Sequence, residues 1–339
     1  MSTPSSPSKQ KEMGRPVSIV GTGSFLPRRV LTNADLEKIV DTSDEWITTR
    51  TGIKERRIAQ PNKATSDMAA EAALKALQDA KIGAEEVDLL ICATITPDMP
   101  FPSTACFIQK KIGAHNAACF DIGAACSGFL YALKVAKQFI ATGAAETVLV
   151  IGAEKLSSAV DWTDRNTCVL FGDAAGAAVL RSVPGRRGVI ATEMGSDGRQ
   201  TDILCLPGGG SKHPITAENI VDKLHTIKMA GKETYKFAVT VMQSAALKLL
   251  KKAGVDSSEI ALVIPHQANL RIIESLADKL DLPREKFFVN LDKYGNTSAA
   301  SVAVALDEAS KSGRLKSGDL VLLVAFGAGL TWAATILEW

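Results

Sequence analysis

Three residues of this 339-residue chain combine a reactive side chain with a position at the end of a predicted element. The first is Cys126, in the stretch FDIGAACSGFLYAL from Phe120 to Leu133. A short apolar run gives way there to small residues, Gly123 to Gly128. Phe129, Leu130, Leu133, Ala136 and Ile140 then recur at helical spacing. A cysteine where a strand turns into a helix meets free backbone N–H groups and the positive end of the helix dipole. Both favour the thiolate, and such sites lower a cysteine pKa from about 8.5 to about 3.5–7.5. Small neighbours leave room for a substrate. A cysteine also packs well as a small hydrophobe, so this stretch alone leaves nucleophile and core residue both open.

The second residue is His266, in IPHQANLRIIESLADKL. It follows the apolar run Ile260–Ile264, which Pro265 closes, and a helix begins at or beside Asn269. The carboxyl end of a strand is where open α/β sheets bind ligands, although a histidine there can equally cap a turn. The third is Asn296, in DKYGNTSAASVAVAL, after a turn at Tyr294 and Gly295. Asparagine is a common helix cap, and that is its plain reading. A last segment, AFGAGLTWA, places Gly327 and Gly329 after an apolar strand. Glycines there either turn the chain or expose backbone N–H groups as an oxyanion hole does.

The elements that must hold these residues come in duplicate. AALKALQDAKIGAEEVDLLIC from Ala72 and AALKLLKKAGVDSSEIALVIP from Ala245 share nine of 21 positions at an offset of 173. The same offset aligns Thr147–Ala153 (TVLVIGA) with Leu320–Phe326 (LVLLVAF), places Cys126 opposite Ala299, and places Asn296 opposite Gly123. The spacing predicts two copies of one α/β unit, over 17–185 and 186–339, related by a pseudo-twofold axis. Each copy should form a mostly parallel sheet covered by helices. Equivalent residues then meet near the axis, where one active site can draw on both halves. Further elements predicted are a strand at Val17–Val20 and a helix over Leu31–Val40 capped by Thr32 or Asn33. A helix over Ser66–Ala80 and a strand over Val87–Ala93 follow.

Composition narrows the class. Hydrophobic residues make up 46% and charged residues 22% of the chain, enough for a large core. A net charge of +2 and the lack of a long basic run argue against nucleic acid, and no apolar run reaches the length of a membrane span. Residues 1–16, rich in Ser, Pro and Lys, read as a disordered tail rather than a secretory signal. Six cysteines without a CxxC spacing, and four histidines without a ligand pair, point to reduced thiols in a cytoplasmic setting. They argue against a metal site.

Taken together, DIGAACSGF, PHQAN, YGNTSAAS and FGAGLTW, with TSDEWITTRTGI near the start, resemble the β-ketoacyl-acyl carrier protein synthase III family. These are the initiating condensing enzymes of type II fatty acid synthesis, in the thiolase superfamily. The resemblance covers nearly everything after the tail. It implies a thiolase-like duplicated α/β fold, layered α-β-α-β-α, with Cys126, His266 and Asn296 as the catalytic set.

It also implies coenzyme A contacts at Thr42, Trp46 and Arg50, with Arg165 stacking the adenine on Trp46. Gly231 and Asn269 would meet the pantetheine arm. The loop Phe326, Gly327, Ala328, Gly329 would supply the oxyanion N–H. Phe101 would close the acyl pocket of a partner subunit in a homodimer, and Gln267, Ala268, Asn269, Leu270 and Arg271 would dock an acyl carrier protein. Lys236 and Lys279 would assist that docking. No cofactor is implied beyond the coenzyme A thioester, which is substrate. Ala328 stands where many members have a third glycine, and Asp278 is acidic where some are basic. An acyltransferase or a condensing enzyme with another primer fits the same residues. A silent subunit or a thioesterase fits them less well.

Overall fold

The computed structural model describes residues 14–185 and 187–339. The expected tail lies outside these residues except for its last three. There Arg15 is anchored: its Nε and Nη2 donate to the Ile140 carbonyl at 3.1 and 2.9 Å, and it pairs with Glu146 at 2.7 Å.

Two sheets organise the chain. The first runs, in spatial order, Ser18–Phe25, Asp173–Arg181, Thr147–Lys155, Leu89–Ala93, Ala118–Ile122. The second runs Val189–Ser196, Thr331–Glu338, Leu320–Gly327, Ile260–Pro265. Read in this order, the directions match: antiparallel, antiparallel, parallel. The first sheet adds a parallel edge strand. A single bridge between Val263 and Phe287 occupies that place in the second. Both sheets are therefore mixed, not mostly parallel as expected. Three residues join Gly327 to Thr331, and a parallel crossover needs a dozen or more.

Side-chain alternation along these strands builds the layers. In Thr147–Lys155, Leu149, Ile151 and Ala153 pack on Met68, Ala72 and Ala76 of the outer helix Thr65–Ala80. Val148 and Val150 point the other way, into Leu130 and Leu133 of helix Gly128–Ala141 and Val302 and Leu306 of helix Ala300–Lys311. Val321, Leu323 and Ala325 of the second sheet meet that same middle layer. Leu322, Val324 and Phe326 face Met242, Leu249, Ile273 and Leu276 of the outer helices Gly231–Ala253 and Leu270–Leu280. The result is helix, sheet, helix, sheet, helix. Strands covered on both faces must be apolar throughout, which is why they read as unbroken apolar runs.

The predicted helix over Leu31–Val40 is mostly something else. Arg29–Thr32 is a strand paired with Glu55–Ile58, and the helix spans only Asn33–Leu36. Thr32 does cap it, accepting from the Asp35 N–H.

Candidate active site

Cys126 lies in a 3-10 turn, Ala125–Ser127, that feeds helix Gly128–Ala141. Ala125 takes a left-handed φ of 45°, a costly conformation for a residue with a Cβ. Across the pseudo-twofold, 173 residues later, Ser298 does the same at φ 48°, ahead of helix Ala300–Lys311. The two middle helices thus begin with the same sharp elbow, one carrying Cys126 and the other Ala299. Gly327 closes over the sulfur's backbone, where an added Cβ would stand 2.6 Å from the Cys126 nitrogen. Thr331 pins the loop, its hydroxyl donating to the Ala124 carbonyl at 2.9 Å. Ala328 is not among the residues with positive φ, so alanine costs this loop nothing.

The expectation of a lowered Cys126 pKa is overturned. Burial pushes the thiol up to about 12; the Ser298 hydroxyl opposes this, and the Glu154 carboxylate adds to it. Loss of water outweighs the helix terminus, and the resting sulfur is a neutral thiol.

His266 follows strand Ile260–Ile264 and Pro265 directly, its N–H donating to the Val324 carbonyl of the neighbouring strand at 2.7 Å. Its Nδ1 meets Ser301 Oγ at 2.7 Å, and its ring packs edge-on against Phe326. Its Nε2 is buried without a hydrogen-bond partner among the described residues. Burial pushes the imidazole down to about 3, so it is neutral. Asn296 is locked by its backbone, which exchanges bonds with Leu170 and Gly172. Its Oδ1 accepts from the Ser298 N–H at 2.8 Å, which aims the amide NH2 elsewhere as a donor. This bond closes a turn ahead of helix Ala300–Lys311, whose N-cap is Ala299 and not Asn296, and it sets the orientation of the other end of the same side chain.

Cys126, Ser298 and Ala328 border an apolar cavity of ≈250 Å³, walled by Leu156, Phe171, Leu204 and Ile227. Sequence reasoning missed Ser298 and Glu154. Glu154 is a fully buried carboxyl at the end of an otherwise apolar strand, and that misplaced charge was the available signal.

The outer contacts are mixed. Two guanidiniums lie over the Trp46 ring, Arg50 at 4.7 Å and Arg165 at 5.1 Å from its centre. At 5.1 Å a purine does not fit between Arg165 and the ring, so stacking there needs Arg165 to swing off Asp41, whose carbonyl it holds at 2.7 Å. The Thr42 hydroxyl is buried without a partner among the described residues. Gly231 opens the long outer helix at the surface. Asn269 caps helix Leu270–Leu280 and donates to the Arg50 carbonyl at 2.9 Å, so its side chain holds two elements together. Gln267 cannot belong to a docking surface: it is buried, and binds the Pro265 and Phe288 carbonyls and the Asn290 N–H. Ala268 and Leu270 are half-buried, whereas Arg271 is exposed and stacks on Tyr235. Phe101 is 83% exposed.

Residues 120–198 match the family described as 3-oxoacyl-[acyl-carrier-protein] synthase III, and residues 250–339 match its C-terminal region. A relative from Caldanaerobacter subterraneus, named beta-ketoacyl-[acyl-carrier-protein] synthase III, is 57% identical over 95% of this chain and 97% of its own length. The chain belongs to the β-ketoacyl-acyl carrier protein synthase III family. It is accordingly an acyl-transferring condensing enzyme of thiolase fold. The crystal structure of a synthase III from Aquifex aeolicus superposes with a TM-score of 0.89 at 54% identity, covering 95% of this chain and all of that one. A priming β-ketosynthase of the R1128 polyketide pathway superposes at 0.87 with 36% identity, covering 98% of each chain. No helix among the described residues is long and apolar enough to cross a membrane.

Proposed function

We propose that Cys126, His266 and Asn296 carry out the priming condensation of fatty acid synthesis. A short acyl-CoA enters, and Cys126 takes its acyl group as a thioester, releasing coenzyme A. The Cys126 N–H and the loop at Gly327 hold the oxyanion. Malonyl-acyl carrier protein follows and loses CO2. His266 Nε2 and the Asn296 amide donate to its thioester oxygen as the enolate forms. The carbanion then attacks acyl-Cys126 to give a 3-oxoacyl product on the carrier.

One observation carries this reading: the buried Nε2 of His266 has no partner while Nδ1 is held by Ser301. With the Ser301 hydroxyl donating to Nδ1, Nε2 bears the hydrogen and needs an acceptor. A neutral imidazole, like an amide, donates without titrating, which suits an enolate. The apolar cavity of ≈250 Å³ beside Cys126 supports a short acyl group as the primer.

Exposed Phe101, and the open edge of strand Ala118–Ile122, support a homodimer in which Phe101 closes the partner's pocket. Exposed Arg271, with Lys236 and Lys279, supports docking of an acidic carrier. The reaction uses no cofactor beyond the coenzyme A thioester and belongs in the cytoplasm, where the six free cysteines stay reduced.

The test is intact-protein mass after mixing with acetyl-CoA, then with malonyl-acyl carrier protein. A single acyl adduct is expected, absent in Cys126→Ala and discharged with CO2 release. An adduct that persists without decarboxylation would instead mark a transferase. A monomeric sedimentation profile would remove the cross-subunit role of Phe101.

A further inference from the structure

Glu154 ends the central strand Thr147–Lys155 with no exposure to solvent. Five donors converge on its carboxylate. Thr96 Oγ1 and N–H donate to Oε2 at 2.6 and 3.1 Å, and Thr94 Oγ1 does so at 3.2 Å. The Ile95 N–H is shared between both oxygens, and Ser298 Oγ donates to Oε1 at 3.2 Å. A buried carboxyl costs several kcal/mol to ionise, and a cage of donors built around it fits an ionised group. Structural needs would be met by a neutral side chain. On its other side, Ser298 borders the same cavity as Cys126, and its hydroxyl acts to lower the pKa of that thiol. Sulfur, hydroxyl and carboxylate form one chain across the two elbows.

We propose that Ser298 and Glu154 relay the proton of Cys126 away when the sulfur attacks. The thiol proton passes to Ser298 Oγ as the Ser298 hydroxyl proton passes to Glu154 Oε1, leaving a thiolate and a neutral carboxyl. As the thioester exchanges, the C–S bond to coenzyme A breaks. The relay runs backwards and the proton goes to the departing sulfur, which is bonded to the same carbon. No proton is gained or lost overall. Ser298 touches the reacting atom; Glu154 acts through it, as a positioning residue. The acyl-transfer part rests on the function proposed above, whereas thiol activation does not.

Burial pushes the Glu154 carboxyl up to about 7, against the pull of its donors. The other titratable groups here are the Cys126 and Cys92 thiols, both held neutral, with Asp98 and Asp121 acting on Cys92. Lys155 turns its ammonium to the carbonyls of Gln60, Pro61 and Lys63.

The experiment follows alkylation of Cys126 by iodoacetamide, read by peptide mass, from pH 6 to 9.5 in the full chain. It compares wild type, Glu154→Gln and Ser298→Ala. Glutamine keeps an oxygen for the Thr96 donors but offers no basic oxygen. Alanine at 298 is the residue that Ala125 already carries at the same φ. The wild-type rate should rise through about pH 7 and level off. Both variants should lose that limb, react about 10²-fold more slowly near pH 7.5, and climb about tenfold per pH unit instead. Thermal melts report folding, and either variant suffices if the other fails to fold.

A wild-type rate without a plateau, or variants whose profiles superimpose on it, would overturn the relay. Acetylation by acetyl-CoA is measured alongside. If it fails in wild type while the alkylation limb persists, the relay stands and the proposed acyl chemistry falls.

Discussion

At the scale of single residues, the site is a set of polar groups placed where water is not. His266 is the clearest case, because burial holds it neutral in the fold and it charges freely once unfolded. Its folded pKa, about 3, lies below the ordinary 6.5. Between those values the unfolded chain binds the extra proton, so stability present above pH 6.5 is lost as pH falls. Comparing wild type with His266→Asn by urea unfolding, the wild type should lose about 3 kcal/mol more between pH 7 and 4. Parallel curves would show that the imidazole is not desolvated as described. Glu154 works in the opposite direction in both proteins and cancels in the comparison. Cys126, His266 and Asn296 stood out because each sits in a local pattern with a chemical meaning. Ser298 was not. In a run of small residues it looks like helix entry, and only the position of Glu154, 144 residues away, makes it part of a chain.

At the scale of elements, glycines in the first sheet decide how deeply the middle helices press. A Cβ on Gly152 would stand 2.2 Å from the Ala299 carbonyl oxygen, and one on Gly176 would meet the Ala303 Cβ at 2.5 Å. Neither strand nor helix backbone can yield cheaply. Gly152→Ala should therefore cost about 1–3 kcal/mol and lower the melting temperature. Alkylation of Cys126 should slow as well, because Ala299 adjoins the Ser298 elbow. An unchanged melting temperature would refute the contact. The 173-residue offset exposed the paired helices and strands. Strand direction was missed, although the short link from Gly327 to Thr331 already excluded a crossover. Gln267 was misplaced for a related reason: polarity suggested surface, while three backbone partners hold it inside.

At the scale of the whole molecule, the two halves are two by descent of pattern but share one core. Leu130, Leu133 and Val150 from the first half close against Leu306, Leu323 and Ala325 from the second. A chain cut to 14–185 would leave that face open, and it should show no cooperative urea transition. A sharp transition in the fragment would mean that the halves are independent domains. The full chain should unfold in one step by fluorescence and circular dichroism alike. Sealing Cys126 between the halves has a consequence for the protein's life in air. Peroxides consume standing thiolates, and an idle enzyme whose resting sulfur is a neutral, buried thiol offers them few. The protein should age slowly in storage, with its exposed Met99 oxidising before Cys126 does.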